Sequence, residues 1–155
     1  MNQQPTPRLL VIGYGNELRG DDAVGPTVAA AVEAMKLEGV RVLVCQQLTP
    51  ELAEPVSQAG AVVLVDAVVS GDCIVQAREL APVDGNGILT HAGDPRSLLG
   101  LARSLYGRCP RSWWITIPIE STTLGERLSA TAAQGAALAL AEVRTIWSRQ
   151  RDECP

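Results

Sequence analysis

The sequence contains no phenylalanine and only three tryptophans and two tyrosines, although 46% of its 155 residues are hydrophobic. Its core must therefore be built from Val, Leu, Ile and Ala. This apolar share argues against disorder and predicts a chain that buries a core. The length predicts a single domain over residues 1–155. Within it we expect 1–7 to be flexible and 150–155 to be frayed.

The chain also lacks a basic cluster, and its formal net charge is −4, which argues against a nucleic acid partner. No apolar run approaches the roughly 18 residues of a membrane helix, and the polar N-terminus does not resemble a secretory signal. The four cysteines show no CxxC pairing, so neither a zinc site nor a redox motif is indicated. We therefore expect a cytoplasmic protein with reduced thiols and no membrane contact.

Apolar strand patterns alternate with amphipathic helix patterns along the chain. The predicted strands are Leu9–Ile12, Val40–Cys45, Ala61–Val65, Cys73–Arg78 and Trp113–Ile119. Too few residues precede the fourth strand for a helical crossover, so it is expected to run antiparallel at an edge. This alternation predicts an α/β fold, a three-layer sandwich with helices on both sides of a mostly parallel sheet.

Two helix starts have clear signals. Asp94 followed by Pro95 predicts one start, with Gly107 as the stop, and Ser129 is expected to cap the last helix. The residues of this last helix expected to face the core are Ala132, Gly135, Leu138, Ala139, Val143 and Ile146.

Three polar residues fall at equivalent points of the predicted fold. Asp22 follows the glycine turn after strand one, Asp66 ends strand three, and His91, the only histidine, precedes a helix. Neighbouring parallel strands bring their C-terminal ends together, at the edge where open sheets bind ligands. Two carboxylates and one imidazole form a ligand set suited to a divalent transition metal.

Other interpretations stay open at this point. Asp22 is equally compatible with a helix cap, and Asp22 with Asp66 is compatible with an aspartic dyad that shares one proton. A dinucleotide site is disfavoured because Leu18 replaces the third glycine and acidic residues occupy the turn. Nucleophilic catalysis by Cys45 or a serine lacks a G-x-S-x-G motif.

Four motifs in register resemble the maturation endopeptidases of nickel-iron hydrogenases. They are G-Y-G-N-x-L-x-G-D-D-x-x-G at 13–25, V-D-A-V at 65–68, T-H at 90–91, and I-P-I-E-S with G-x-x-L-S at 117–129. The resemblance runs from about Arg8 to Val143. It departs from the family at 46–50, where many relatives carry a glycine-containing turn, and at Ala130, where relatives often have proline.

The resemblance implies a twisted, mixed, five-stranded sheet flanked by helices. It also implies removal of a C-terminal extension from the hydrogenase large-subunit precursor after nickel insertion. The residues that match the family's metal-binding and catalytic set are Asp22, Asp66 and His91, and Gly15, Asn16 and Glu120 are expected to contact the substrate. We expect nickel to arrive with the precursor and the protein to act as a monomer. The alternative function is a nickel carrier or chaperone without proteolytic activity.

Overall fold

One sheet of five strands organises the part of the chain that the computed structural model describes, residues 5–69, 74–83, 93–125 and 127–153. The strands are β1 (Leu9–Tyr14), β2 (Val40–Cys45), β3 (Ala61–Val68), β4 (Gln76–Leu80) and β5 (Arg111–Pro118). Their order across the sheet is β2-β1-β3-β5-β4, and only β4 is antiparallel to its neighbour. The C-terminal ends of β1, β3 and β5 therefore lie at the same edge.

In the described part of the chain, four α-helices cover the sheet. They are α1 (Val24–Ala34), α2 (Ala53–Gln58), α3 (Pro95–Tyr106) and α4 (Ala130–Glu153), and 3-10 turns at Gly20–Ala23 and Pro50–Leu52 precede α1 and α2. None of the helices in the described ranges is both long enough and apolar enough to cross a membrane.

Side chains of alternate strand residues point to opposite faces of the sheet and pack in two separate hydrophobic cores. On one face Val11 and Val63 pack with α1 and α4, and on the other Ile12 and Leu64 pack with α2 and α3. The central strands are thus buried on both sides, which explains why Ala61 to Val65 is continuously apolar. The arrangement confirms the predicted three-layer α/β sandwich with a mixed, mostly parallel sheet.

Several local predictions are confirmed. β2 has the predicted bounds, and the Asp94 side chain accepts a hydrogen bond from the Arg96 amide at the start of α3. Gly107 ends α3 in the left-handed conformation at φ 70°. The Ser129 hydroxyl accepts a hydrogen bond from the Ala132 amide at the start of α4. These signals are read well from sequence because each depends on neighbouring residues alone.

Five predictions were wrong in detail. β1 ends at Tyr14 rather than at Ile12, and β5 is Arg111–Pro118 rather than Trp113–Ile119. β3 does not end at Asp66 but continues to Val68, because Asp66 to Val68 pair with Thr116 to Pro118 of β5. The edge strand begins at Gln76 rather than Cys73, whose position lies outside the described residues. Leu138, expected in the core, is 59% exposed on α4.

Candidate functional site

The chain turns sharply where β1 ends, and glycine is required there. Gly15 has φ 148°, and a Cβ on it would collide with the carbonyl oxygen of Asp22. A side chain at Gly25 would lie 2.5 Å from the carbonyl oxygen of Tyr14 and 2.7 Å from that of Val65. The end of β1 therefore packs directly against the start of α1, which brings the 3-10 turn carrying Asp22 up to the edge of the sheet.

Asp22 is half-buried, and its Oδ2 accepts a hydrogen bond from the Asn16 amide at 2.7 Å. Neither the 3-10 turn nor α1 is capped by a side chain, so Asp22 is not the helix cap considered from sequence. Its carboxylate instead fixes the Gly15–Asn16 turn. Gly15, Asn16 and Asp22 are thus brought together at the C-terminal end of β1.

Asp66 lies beside this turn because β1 is shorter than β3. The two strands pair up to Gly13 and Val65, and β3 then continues while β1 turns away. The pKa of Asp66 is raised to about 6: burial raises it most and the nearby charge of Asp22 adds a smaller rise, while the Tyr14 hydroxyl and the Ala67 amide lower it. The two carboxylates predicted to converge are therefore close enough for their charges to interact.

Tyr14, the last residue of β1, contributes a hydroxyl to the same region. The side chain is only 6% exposed, and its pKa is raised chiefly by burial and then by the charge of Asp66. The hydroxyl is close enough to Asp66 and Trp114 for both to shift this pKa, yet neither contact has the geometry of a hydrogen bond. Sequence analysis missed Tyr14, although it stands within the G-Y-G-N motif.

Asp21 has a role quite different from that of its neighbour. It is 1% exposed, and its carboxylate accepts hydrogen bonds from the amides of Glu120 (2.9 Å), Ser121 (3.2 Å) and Ser129 (2.6 Å) and from the Ser129 hydroxyl (2.7 Å). Burial raises its pKa, but these hydrogen bonds outweigh burial and hold the pKa below its ordinary value. Asp21 therefore ties the Asp22 turn to the segment between β5 and α4.

Glu120 is exposed at the start of this segment, and its Oε1 accepts a hydrogen bond from the Thr131 hydroxyl. Its backbone amide is held by Asp21 at 2.9 Å, which keeps the residue at the edge shared with Asp22. A solvent-facing carboxylate on a fixed backbone is available for contact with a bound chain.

The third predicted ligand, His91, lies outside the described residues. Within the ranges that are described, no three His, Cys, Asp or Glu side chains are grouped so that they could hold a metal ion. Asp94, which follows His91 by three residues, is close enough to Tyr14 for its charge to raise the pKa of that hydroxyl. The start of α3 therefore faces the same region as Asp66.

Of the four cysteines, Cys45 and Cys109 are free thiols of intermediate exposure, and burial raises the pKa of both. A raised pKa disfavours the thiolate, which is the nucleophilic form. This argues against Cys45 as a nucleophile. Cys73 and Cys154 lie outside the described residues.

Solved structures of hydrogenase maturation proteases are similar to this chain over most of its length. HybD from E. coli, a hydrogenase maturating endopeptidase, has 22% identity and a TM-score of 0.73, with 92% of this chain and 93% of that chain covered. The [NiFe] hydrogenase maturation protease HycI from Thermococcus kodakarensis has 25% identity and a TM-score of 0.70, with coverages of 92% and 94%. A hydrogenase 2 maturation peptidase from a Thaumarchaeota archaeon has 22% identity and a TM-score of 0.69, covering 91% and 98%.

No protein-family model and no curated protein sequence matches the chain. The chain nevertheless has the fold of the [NiFe] hydrogenase maturation proteases, and nearly the whole of it takes part in the match. The resemblance seen in the four sequence motifs is thereby confirmed for the fold.

Proposed function

We propose that the protein is an endopeptidase that removes the C-terminal extension of a nickel-iron hydrogenase large-subunit precursor after nickel insertion. One observation carries the proposal: Asp22 and Asp66, distant in sequence, converge at one sheet edge in the fold of proteins named hydrogenase maturation endopeptidases. Two carboxylates with interacting charges are disfavoured unless a proton or a cation compensates them. The nickel ion of the precursor would be that cation.

In this proposal Asp22, Asp66 and His91 take up the open coordination positions of the nickel that the precursor carries. Two oxygens and one imidazole nitrogen suit a divalent transition metal. Gly15, Asn16 and Glu120 lie along the same edge and would contact the tail of the precursor. Binding the metal would hold the scissile bond in place, so that a precursor without nickel is not a substrate.

Asp66 is the better candidate for a general base, because the Oδ2 atom of Asp22 already accepts a hydrogen bond from the Asn16 amide. With one oxygen on the metal, the second oxygen of Asp66 would take a proton from the attacking water, and the metal would polarise the peptide carbonyl. Asp22, held by the Asn16 amide, would serve to bind and orient the metal.

The decisive experiment incubates the protein with nickel-loaded and nickel-free precursor and measures the mass of the product. Only the nickel-loaded precursor should lose its C-terminal extension. Cleavage that does not depend on nickel would point to ordinary recognition of the peptide sequence and would contradict the role given to Asp22, Asp66 and His91.

Asp22→Asn, Asp66→Asn and His91→Ala should each abolish processing of the nickel-loaded precursor while the protein remains folded. Asp152→Asn is a matched control, because Asp152 is an exposed carboxylate near the end of α4. Full activity in any one of the three variants would remove that residue from the site.

Two rival functions have separate signatures. A nickel carrier or chaperone would bind nickel tightly in calorimetry without cleaving the precursor. A thiol protease would lose activity in one of Cys45→Ser, Cys73→Ser or Cys109→Ser without unfolding. We expect all three cysteine variants to remain active.

A further inference from the structure

Two buried polar atoms in the described part of the chain have no hydrogen-bond partner: the Tyr14 hydroxyl and the Trp114 indole nitrogen. Buried polar groups are almost always paired, since leaving one unpaired in the interior is costly. Both side chains pack with the core on the α2 and α3 side of the sheet. Two such atoms in one place require an explanation.

The strand register brings both side chains to Asp66. Gly13 pairs with Val65, so Tyr14 and Asp66 are the next residues of their strands, and Leu64 pairs with Trp114. Because side chains alternate along strands, residues 64 and 66 of β3 share one face of the sheet. Asp66 and Trp114 both shift the pKa of Tyr14, which shows that the three groups are close.

The chemistry of the three groups allows only one order of donation. An indole nitrogen only donates, an ionised carboxylate only accepts, and a phenolic hydroxyl does both. Asp94 is the other carboxylate near Tyr14, but its charge affects the pKa of the hydroxyl less than the charge of Asp66 does. The strand register also places Asp66 beside Tyr14, so Asp66 is the acceptor that we assign to the Tyr14 hydroxyl.

We propose that Trp114, Tyr14 and Asp66 form a positioning relay, in which the Trp114 indole donates to the Tyr14 hydroxyl and this hydroxyl donates to the Asp66 carboxylate. The relay tightens when the precursor binds, because catalytic hydrogen bonds are often long or misaligned before substrate is present. Tyr14 is thus a positioning residue that fixes the orientation of Asp66. The inference rests on the proposed function for its catalytic consequence.

The first test compares Tyr14→Phe with Tyr106→Phe in processing of the nickel-loaded precursor. Tyr106 is 49% exposed at the end of α3 and serves as the matched control. We expect Tyr14→Phe to lower kcat about tenfold to a hundredfold, as for other groups that orient a ligand, with KM changed less than about twofold. Its denaturant midpoint should not fall, since the lost hydroxyl has no hydrogen-bond partner among the residues that the structure describes. An unchanged kcat, or a loss of stability that accounts for the loss of activity, would overturn the relay.

The second test does not depend on activity and uses the three indole N–H signals in a nitrogen-15 NMR spectrum. Trp114→Phe assigns one signal by its disappearance, and Trp147, whose indole donates to the Glu38 carbonyl at 3.1 Å, is an internal control. Tyr14→Phe should shift the Trp114 signal and leave that of Trp147 in place. A Trp114 signal that does not respond would contradict the relay. If this signal shifts but wild-type protein fails to cleave the precursor, the relay stands and the proposed function falls.

Discussion

The adjacent residues Asp21 and Asp22 have the same side chain but very different environments. Asp21 is 1% exposed with four hydrogen bonds to its carboxylate, whereas Asp22 is half-buried with one. The motif places both acids before α1, and sequence reasoning chose Asp22 from its place after the glycine turn, a choice that the family resemblance also implies. The structural role of Asp21 depends on Glu120, Ser121 and Ser129, about a hundred residues away, which no local pattern reveals.

Replacing Asp21 by Asn should destabilise the protein by about 3 kcal/mol, because a single amide oxygen cannot serve four donors and buried amides lose their partner. Since its pKa is lowered in the fold, the stabilisation by Asp21 is present above its ordinary pKa of 3.8 and is lost as the pH falls through the folded value. Urea unfolding at pH 7 measures the effect. Asp22→Asn, with one such bond, should cost clearly less, and equal costs would contradict the difference in role.

The contribution of Asp66 to the free energy of unfolding should depend on pH in the opposite direction. Its folded pKa of about 6 lies above the ordinary 3.8, so between these values the folded protein binds more protons than the unfolded chain. The free energy of unfolding therefore falls as the pH rises through this window. Asp66→Asn should remove this fall and be more stable than wild type at pH 8, by at most about 3 kcal/mol, with little difference at pH 4. Unfolding curves from pH 4 to 8 test this against Asp152→Asn, which should track wild type.

At the scale of elements, the contact between β1 and α1 decides where the site lies. In an ordinary helix, replacing glycine by alanine stabilises by up to about 1 kcal/mol. At Gly25 the added methyl would meet the carbonyl oxygens of Tyr14 and Val65. We expect Gly25→Ala to destabilise by about 1–3 kcal/mol through overpacking and to lower processing, because α1 and the Asp22 turn move away from the sheet. Thr27→Ala, at an exposed position of α1, should change stability by less than about 0.5 kcal/mol. A stabilised Gly25→Ala protein would show that the contact is not tight.

The sequence predicted most helices and strands correctly as helices or strands. It predicted their first and last residues less well. The Asp94 cap and the Gly107 stop of α3 are local signals, and both are confirmed. The end of β3 depends on its partner strand: β5 pairs with it as far as Val68, although the apolar run stops at Val65. Leu138 fits the helical spacing of its neighbours but is exposed, because the apolar stripe predicted on α4 is wider than the surface that the sheet covers.

At the scale of the whole molecule, the two cores share strands β1, β2, β3 and β5 of the sheet, and we propose that they unfold together as one domain. Trp114 packs with the core of α2 and α3, whereas Trp113 and Trp147 pack with that of α1 and α4. We therefore expect that, in a variant that keeps only Trp114 or only Trp147 and has Phe at the other two positions, denaturant unfolding has the same midpoint by fluorescence as by circular dichroism. Midpoints that differ between the two probes within one variant would indicate two units.

The site as a whole was less predictable than the sheet that supports it. Asp22 and Asp66 meet because β1 and β3 are parallel neighbours, and this pairing is the part of the topology that short right-handed crossovers favour. Tyr14 and Trp114 were not found, because an apolar strand pattern makes an aromatic residue look like ordinary core. His91 stays a prediction, as it lies outside the described residues.

The hydrogen bonds of Asp21 also determine when this part of the site can fold during translation. Their donors lie 99, 100 and 108 residues further along the chain. A nascent polypeptide that has emerged from the ribosome only as far as β3 already contains Tyr14, Asp22 and Asp66, but the carboxylate of Asp21 has nothing to accept from. The hydrogen bonds that tie the Asp22 turn to the segment between β5 and α4 can therefore form only after Ser129 has emerged, although the strands that carry the two carboxylates emerge much earlier.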